Sequence, residues 1–369
     1  MVCMSATEEH VVVGLSGGVD SAVTAALLIE QGYKVTGLFM KNWEEDDDDE
    51  YCAAAVDLAD ARSVCSRLGI ELKTINFSHE YWERVFTRFL HQFESGLTPN
   101  PDVLCNREIK FKEFIEHAQI LGANRIATGH YAGIHRGQDA AQLLRGRDAN
   151  KDQSYFLYAL SQQALNQSIF PLHELSKPEV RDKARQLDLA VFDKKDSTGI
   201  CFIGERRFKD FLSKYIKPRP GQIRDLEERV VGEHDGLNYY TIGQRQGLGI
   251  GGAGDAWYVA RKAVDDNLLY VAQGHQHPAL FSSWLHAGEL NWVSGHAPHL
   301  PTTCTAKTRY RQADQVCTIE PITGSIARVR FAAAQRAVTP GQAVVFYDGE
   351  VCLGGGTIVD CEALLLSAA

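Results

Sequence analysis

The first half of the chain alternates short apolar runs with longer stretches of helical spacing. Four apolar runs predict strands, and they are "HVVVGL" from His10, "KVTGLFM" from Lys34, "ELKTINF" from Glu71 and "RIATGHY" from Arg125. Three helical patterns lie between them: "DSAVTAALLIEQG" ends at Gly32, "AAAVDLADARSVCSRLG" ends at Gly69, and "NREIKFKEFIEHAQILG" precedes the last strand. This alternation predicts an α/β fold with a parallel sheet flanked by helices.

The pattern changes near Pro218, where "KPRPGQI" interrupts the chain with proline and glycine. After that point the apolar runs are short, rich in β-branched residues and separated by turn residues. This pattern predicts a small central domain followed by a C-terminal β-barrel. We therefore expect three domains, comprising residues 1–217, 218–280 and 281–369.

One edge of the predicted parallel sheet carries the first candidate chemistry. Ligands of such sheets bind outside the carboxyl ends of the strands, where this chain places residues 16–21, Met40 and residues 128–131. The motif "GLSGGVDS" follows the first strand and opens a helix, so its glycines allow the backbone to close around an anion. Ser16 and Ser21 add hydroxyl donors, and Asp20 holds either the turn or a metal.

The motif lacks the lysine of a P-loop, and it resembles instead the pyrophosphate loop of the ATP pyrophosphatases. These enzymes cleave ATP between its α and β phosphates and adenylate a substrate. The resemblance therefore implies that the loop binds the β/γ end of ATP. Because the superfamily includes amide-forming synthetases and RNA-thiolating enzymes, the loop alone leaves the substrate open.

Composition and charge indicate where the protein acts and which partners it favours. The chain has 369 residues, is 44% hydrophobic, and has no apolar run of about 18 residues, so we expect a cytoplasmic protein without a membrane span. The net charge of −9 argues weakly against a nucleic-acid partner. However, seven acids lie in one run, "EEDDDDE" from Glu44, which is typical of a solvated loop. A role of this run in repelling wrong polyanions or attracting magnesium is the alternative.

The nine cysteines include no C-x-x-C pair, so they predict neither a disulfide framework nor a zinc or iron–sulfur site. Two of them lie in electropositive, loop-like contexts. Cys105 follows the proline-rich turn of "GLTPNPDVLCNREIKF", at the start of a helix, and Cys201 follows the Ser-Thr-Gly turn of "KKDSTGICFIGERRF". Both are candidates for reactive thiols. A packing role is expected of those in helix or strand patterns, which are Cys52, Cys65, Cys304, Cys317 and Cys352.

Nine stretches, in order and over nearly the whole chain, are similar to those of the bacterial tRNA-specific 2-thiouridylases. They are "GLSGGVDS", "GLFMKNWEEDD", "TPNPDVLCN", "IATGHY", "NKDQSYFLY", "KKDSTGICFIG", "GQRQGLGIGG", "TRYRQ" and "TPGQAVVFYDGEVCLGGG". The resemblance implies ATP-dependent replacement of the C2 oxygen of the wobble uridine by sulfur. It also implies a pyrophosphatase domain, a small central domain and a C-terminal β-barrel, with tRNA as substrate and a persulfide sulfur-donor protein as partner. Magnesium is expected with ATP, although the resemblance gives no ligands for it.

The resemblance assigns candidate roles residue by residue. The ATP site is expected at Gly14, Leu15, Ser16, Gly17, Gly18, Val19, Asp20 and Ser21, with Met40 and Gly129. The target base is expected to meet Asn100, Pro101 and Asp102, with His130 close by. Further tRNA contacts are expected from Lys151, Asp152, Gln153, Arg309, Tyr310 and Gln342. Cys105 corresponds to the nucleophile of the family and Cys201 to its persulfide carrier.

These residue types suit the implied chemistry, because adenylation of the C2 oxygen makes AMP the leaving group for a sulfur nucleophile. Attack of Cys105 on the persulfide of Cys201 would free the outer sulfur and leave a disulfide. Asp102 either orients the uracil N3–H, takes its proton, or holds the turn. His130 either binds RNA or fills the strand end.

Two rival functions share parts of this pattern. An amide-forming synthetase would use the same loop but would not need a second reactive cysteine. A non-catalytic tRNA-binding protein would bind tRNA without releasing pyrophosphate. The two cysteine motifs, found in order, weigh against both, and a thiolase with a metal cluster would be expected to show C-x-x-C. The oligomeric state and the set of tRNAs are not predicted.

Overall fold

A computed structural model of the protein describes residues 9–44, 53–196, 208–321 and 325–363. The strands of the first region are β1 (His10–Gly14), β2 (Lys34–Lys41), β3 (Glu71–Asn76), β4 (Arg125–Ala127), β5 (Ala132–Arg136), β6 (Ala141–Arg145) and β7 (Ser168–Ile169). Those of the remaining chain are β8 (Gly221–Arg224), β9 (Val230–His234), β10 (Trp257–Ala263), β11 (Leu268–Gln273), β12 (Phe281–Trp292), β13 (Thr302–Lys307), β14 (Gln315–Pro321), β15 (Ala327–Arg336), β16 (Ala343–Asp348) and β17 (Val351–Cys361).

The α-helices are α1 (Val19–Glu30), α2 (Ala53–Leu68), α3 (Ser78–Tyr81), α4 (Thr87–Glu94), α5 (Pro101–Cys105), α6 (Phe114–Ile120), α7 (Ser154–Leu157), α8 (Gln162–Asn166), α9 (Lys177–Gln186) and α10 (Phe208–Leu212). Two π-helical segments, Trp82–Phe86 and Asn106–Glu113, connect α3 to α4 and α5 to α6. Short 3-10 helices lie at Leu237–Tyr239 and Pro278–Leu280.

The first sheet is parallel in each of its pairings and has the strand order β3-β2-β1-β4-β7. The predicted strands and the helices α1 and α2 are present, and the glycines expected to end these helices have positive φ, +85° at Gly32 and +70° at Gly69. Left-handed backbone of this kind ends helices because glycine has no Cβ to clash. The carboxyl ends of β1, β2 and β4 therefore converge on the residues that follow Gly14, Met40 and Ala127.

The predicted third helix begins earlier than the sequence pattern indicated. Asn100 caps α5 by accepting a hydrogen bond from the Asp102 amide (3.2 Å), and Pro101 occupies the first turn. The helix then passes through the π-helical segment, with non-helical angles at Phe111 (φ −124°, ψ 16°), into α6. The stretch from α3 to α4, which the pattern did not predict, packs Phe86, Phe89 and other aromatic rings against α5.

The second half forms two further sheets. A four-stranded sheet has the order β10-β11-β8-β9, and β12, β15, β14, β13, β16 and β17 follow one another around a barrel that the β12–β17 pairing closes. The hairpin β5–β6 adds to this barrel sheet, with Leu144 opposite Val351. The predicted fold class, a parallel-sheet domain with a small central domain and a barrel, is confirmed. The bounds 1–217, 218–280 and 281–369 stay a proposal.

A loop before α5 is held between the central sheet and the barrel. The Thr98 amide donates to the Pro340 carbonyl (3.0 Å), and the Gln342 side-chain amide donates to the Thr98 carbonyl (2.7 Å). From the central sheet, Lys262 donates to the Gly96 carbonyl (3.0 Å). Burial lowers the pKa of Lys262 to about 8, because the enclosed amine loses its hydration. Three parts of the chain thus position the start of α5.

No helix among the described residues combines the length and apolar character required to cross a bilayer.

The barrel contact predicts a position-specific cost for a methyl group. A Cβ on Gly341 would stand 2.9–3.0 Å from backbone atoms of Thr98, whereas one on Gly349 would meet nothing within 4 Å. Both glycines have positive φ, and the backbone strain of an alanine is greater at Gly341 (+89°) than at Gly349 (+55°), which lies in the left-handed region of about +50° to +70°. We expect Gly341→Ala to lower the free energy of unfolding by about 1–3 kcal/mol more than Gly349→Ala, measured in urea. Equal losses would mean that the loop yields without cost.

Candidate active site

The loop after β1 folds around its own hydroxyl groups. The Ser21 hydroxyl accepts from the Ser16 amide (3.2 Å) and donates to the Gly18 carbonyl (3.0 Å). Gly17 has φ +73°, and a Cβ there would clash with the backbone of Asp57 in α2. Gly18 is the N-cap of α1 and supplies no side-chain cap, so the first amides of the helix face the loop uncapped. Such an arrangement binds a phosphate through backbone N–H groups and the helix dipole.

Asp20, in the first turn of α1, is engaged by two side chains from later in the chain. Its Oδ1 accepts from the Tyr131 hydroxyl (2.8 Å), and the Lys177 ammonium donates to both carboxylate oxygens (2.7 and 2.8 Å). The backbone of Gly129 lies so close that a Cβ there would be 2.9 Å from atoms of Asp20 and Ser21. Asp20 therefore ties the loop to the end of β4 and to α9.

Lys177 also connects the loop to Asp196, the last residue described before position 208. Lys177 is 8% exposed and lies 2.8 Å from Asp196, which is paired with Lys151 and Arg181 as well. Burial of Asp196 opposes its ionisation, but the hydrogen bonds from Lys151 and Lys177 outweigh it and lower its pKa to about 2. Asp196 is therefore ionised at neutral pH.

Lys194 reaches the loop from its other side. Its ammonium donates to the Gly17 carbonyl (3.1 Å) and to Asp57 (2.7 Å), and it also pairs with Asp60. Burial of this amine lowers its pKa, but the hydrogen bonds to the two carboxylates outweigh that effect and raise it. The loop therefore lies between two lysines, each already shared with carboxylates.

The side chains of several predicted nucleotide-site residues point into the core. Leu15 and Val19 are 2% and 3% exposed, so only their backbones can face a nucleotide. Gly14 is enclosed by the Phe114 ring and the Met40 methyl group, which would be 3.1 and 3.3 Å from an added Cβ. Met40 therefore lies directly beside the start of the loop.

Cys105 does not lie in a loop or at a helix start, and this corrects the sequence-based expectation. It is the last residue of α5, because the Asn100 cap and Pro101 begin the helix before it. Its side chain is 1% exposed. Its neighbour Asn106 donates to the Phe156 carbonyl (3.1 Å). The helix N-terminus instead lies nearest to Asp102.

Asn100 borders a cleft between α5 and the barrel, and Asp102 follows it in the first turn of α5. Burial raises the pKa of Asp102 above its usual range, against a smaller opposing effect of the Lys110 charge. A carboxylate with a raised pKa is the stronger proton acceptor at neutral pH. The lining of the cleft includes Asn100, Val103, Arg107, Glu289, Asn291, Gly341 and Thr357.

His130 is a buried neutral imidazole in this structure. Its Nδ1 is 2.7 Å from the Thr128 hydroxyl, and its ring packs against Phe111 and Phe170 at centroid distances of 5.7 and 6.0 Å. Burial, with a smaller contribution from the Lys110 charge, holds the pKa of His130 well below its usual range. These contacts match the expectation that it fills the strand end, and the RNA contact stays a prediction.

The three predicted tRNA contacts after β6 all have protein partners. Lys151 pairs with Asp196, and the Gln153 side-chain oxygen accepts from the Tyr131 amide (3.0 Å). Asp152 is 5% exposed and accepts from the amides of Gly146 and Ser154, both at 3.1 Å. Asp152 thus holds a turn. Lys151 is the one cationic side chain of the three, and it lies beside Asp196.

The barrel residues predicted to contact tRNA reach back toward the first region. Tyr310 packs on Phe156 with ring centroids 4.5 Å apart, and the Phe156 carbonyl in turn accepts a hydrogen bond from the Asn106 side chain. Arg309 uses one nitrogen, Nη2, to donate to the carbonyls of Ile242 (3.1 Å) and Ala337 (2.8 Å). The Gln342 side-chain amide donates to the Thr98 carbonyl, as described above.

The sequence reading missed Tyr131, Lys177 and Lys194 as parts of the loop site. Tyr131 lies within residues 128–131, which the sequence places at the ligand-binding edge without a specific role, and Lys194 lies in the "KKDSTGICFIGERRF" stretch that contains Cys201. Lys177 follows Ser176, whose capping box with Glu179 begins α9, but that local signal does not reveal its partner Asp20, 157 residues away.

Two predicted parts of the site, Cys201 and residues 45–50 of the acidic run, lie outside the described residues. In the described part of the chain, no group of three or more His, Cys, Asp or Glu side chains could hold a metal ion. Of the carboxylates nearest the loop, Asp20, Asp57 and Asp60 are each bound to a lysine.

Comparison with known proteins covers the whole architecture. Residues 9–205 match the family model described as tRNA methyl transferase HUP domain, 209–273 the tRNA methyl transferase PRC-barrel domain, and 282–358 the aminomethyltransferase beta-barrel domain. The tRNA-specific 2-thiouridylase MnmA of Haemophilus influenzae (strain 86-028NP) is 59% identical over 95% of this chain and 93% of its own. That of Aeromonas hydrophila is 60% identical over 94% of this chain and 96% of its own.

Among solved structures, the U34-tRNA thiolase NcsA from Methanococcus maripaludis is 19% identical, with a TM-score of 0.35. That alignment covers 56% of this chain and 63% of the thiolase chain.

The charge network predicts that Lys177 stabilises the fold through Asp20 and Asp196. Lys177→Met leaves both carboxylates without their shared cation, so we expect a loss of about 2–3 kcal/mol in the free energy of unfolding, measured in urea at pH 7. Lys183→Met, on the same helix, removes a more exposed pair with Glu30 and should cost under about 1 kcal/mol. Similar losses in the two variants would contradict a special role of Lys177.

Proposed function

The chain belongs to the tRNA-specific 2-thiouridylase family, and from that premise we propose how its residues divide the work of the reaction. The protein is an ATP-dependent tRNA-uridine 2-sulfurtransferase, which replaces the C2 oxygen of the wobble uridine by sulfur. The observation that carries this function is the 59% identity over 95% of the chain. An amide-forming synthetase and a non-catalytic tRNA-binding protein are not favoured, since the relatives that match the full chain are thiouridylases.

We propose that the loop from Ser16 to Ser21 binds the pyrophosphate end of ATP. Its uncapped helix N-terminus and hydroxyl groups supply the donors, and Met40 and Gly129 lie beside it for the nucleoside end. Lys177 and Lys194 offset the phosphate charge from two sides. Magnesium would enter with ATP as its chelate and would neutralise phosphate charge, because the described carboxylates nearest the loop are paired with lysines.

The target uridine is proposed to meet Asn100, Pro101 and Asp102 at the start of α5. Its O2 attacks the α-phosphorus of ATP, the bond to pyrophosphate breaks, and the base becomes adenylated at O2. Asp102 accepts the N3–H of the uracil, for which its raised pKa suits it. A cleft lined by α5 and the barrel adjoins Asn100 at the start of this helix.

Sulfur transfer is proposed to use Cys105 and Cys201. The Cys105 thiolate attacks the inner sulfur of a Cys201 persulfide, which forms the Cys105–Cys201 bond and releases hydrosulfide. Hydrosulfide then attacks C2, and the C2–oxygen bond breaks to expel AMP. An external thiol reduces the disulfide for the next turnover. The site is reloaded by a persulfide sulfur-donor protein.

Contacts to tRNA are proposed on both sides of the base site. Lys151 lies in the first region, while Arg309 and Tyr310 lie on the barrel loop after β13. Tyr310 offers a ring for stacking and Arg309 a guanidinium for phosphate. Asp152 and Gln153 hold the turn that presents Lys151, and Gln342 holds the loop before Asn100.

The nucleotide products test the loop assignment. With substrate tRNA, we expect ATP to yield AMP and pyrophosphate in a 1:1 ratio with thiolated uridine, measured by chromatography and nucleoside mass analysis. Ser16→Ala should reduce this rate at least tenfold, because it removes a donor at the phosphate site, while tRNA affinity stays within about twofold. Release of ADP and inorganic phosphate as the sole products would contradict the assignment.

The position at which labelled sulfur remains on the enzyme distinguishes the roles of the two thiols. Cys201→Ser should accept no label from a persulfide donor, whereas Cys105→Ser should accept it and retain it, because the attacking thiolate is missing. Both variants should still adenylate tRNA. After one turnover of the wild type without reductant, a peptide linked through Cys105 and Cys201 should be found by mass spectrometry. Label retained by Cys201→Ser but not by Cys105→Ser would reverse the roles.

A further inference from the structure

Two barrel cysteines outside the proposed reaction face each other across a pair of strands. Cys304 in β13 and Cys317 in β14 are directly opposite in the antiparallel register. Their sulfur atoms are 3.7 Å apart, and both are free thiols. Cys304 is 9% exposed and Cys317 is 1% exposed, so the pair lies in the barrel core with Cys304 nearer the solvent.

This geometry allows a disulfide after the two sulfurs approach by about 1.7 Å. Residues directly opposite on antiparallel strands have Cα atoms about 4.5–5.5 Å apart, within the range of about 4.4–6.8 Å that disulfides need. The hydrogen bond with Cys317 lowers the pKa of Cys304 below its usual value, and the same contact together with burial raises that of Cys317. Cys304 is also the more accessible thiol of the pair, which makes it the one that an oxidant reaches first.

We propose that Cys304 and Cys317 form a reversible disulfide when the enzyme meets a hydroperoxide, and that this bond acts on the tRNA-contacting loop. The Cys304 thiolate attacks a peroxide oxygen; the O–O bond breaks, giving a sulfenic acid and, after protonation, water. The Cys317 sulfur then attacks the Cys304 sulfur, the S–O bond breaks, and hydroxide leaves with the Cys317 proton as a second water. The two thiols lose two electrons, which the peroxide gains.

The bond would act on residues 308–314, the loop that joins β13 to β14. Forming it brings the two sulfurs from 3.7 Å to about 2.05 Å, which draws the two strands together at that rung. The loop is held by local contacts: Gln312 accepts from the Thr308 amide (2.7 Å), and Arg309 donates to Ala337 (2.8 Å). A shift of about 1 Å misaligns hydrogen bonds of this length. The tRNA consequence rests on the proposed roles of Arg309 and Tyr310.

Tryptic peptides give a direct assay for the bond. Trypsin cleaves after Lys307, Arg309 and Arg311, so Cys304 and Cys317 fall in separate peptides, 263–307 and 312–328, each with a single cysteine. Full-length protein carrying Cys105→Ser and Cys201→Ser, which removes the proposed catalytic disulfide, is treated with hydrogen peroxide, alkylated and digested. We expect these two peptides linked to each other, and separated again by a thiol reductant. The Cys317→Ala form of the same protein should give no such link.

The effect of the disulfide on tRNA binding is measured on the same sample. Filter binding should show at least a threefold weaker tRNA affinity after oxidation, restored by reductant and absent in the Cys317→Ala form. Peptides that remain unlinked, or cysteines linked in another pairing, would overturn the proposal. A correct link with unchanged tRNA affinity would overturn the action on the loop, while leaving the proposed Cys105 and Cys201 roles unaffected, since neither thiol is present.

Discussion

The contact between Thr98 and the barrel turn at Gly341 fixes the geometry of the site. Two hydrogen bonds join the turn to Thr98, and the backbones approach so closely that no side-chain carbon fits between them. Because Asn100 caps α5 two residues later, the position of this loop sets where Asp102 and Cys105 lie. A site carried by the first region is thus completed by residues from the end of the chain.

The second constraint is electrostatic. Around the phosphate loop, lysines and carboxylates alternate, with Lys177 between Asp20 and Asp196 and Lys194 between Asp57 and Asp60. The lysines alone would attract any polyanion, but their carboxylate partners hold the site near neutrality before a nucleotide arrives. Incoming phosphates then compete with these carboxylates for the same cations, which makes the neighbouring Asp196 sensitive to what the loop contains.

Much of the first sheet and the barrel could be predicted from the sequence because their signals are local. Alternation of apolar runs with glycine-terminated helices predicts β1 to β4 and α1, and the glycine-rich turn predicts the tight loop after β1, whose phosphate-binding role stays a prediction. The start of α5 at Pro101 was missed, although an Asn-Pro pair is a local helix-start signal, because the apolar periodicity begins only after Asn106. The pairing of Asp20 with Lys177 has no local signal, since only the folded chain brings the two together.

The hairpin β5–β6 has a consequence for how the protein is made. Arg145 donates to the carbonyl of Gly349, 204 residues further on, and Leu144 pairs with Val351 at the end of synthesis. At about 5–20 residues per second, the ribosome takes roughly 10–40 s to supply that partner strand. Throughout that interval the nascent chain presents a strand edge with unpaired amides and carbonyls, the kind of edge that recruits other chains. The long sequence separation of β6 and β17 thus delays the completion of this sheet.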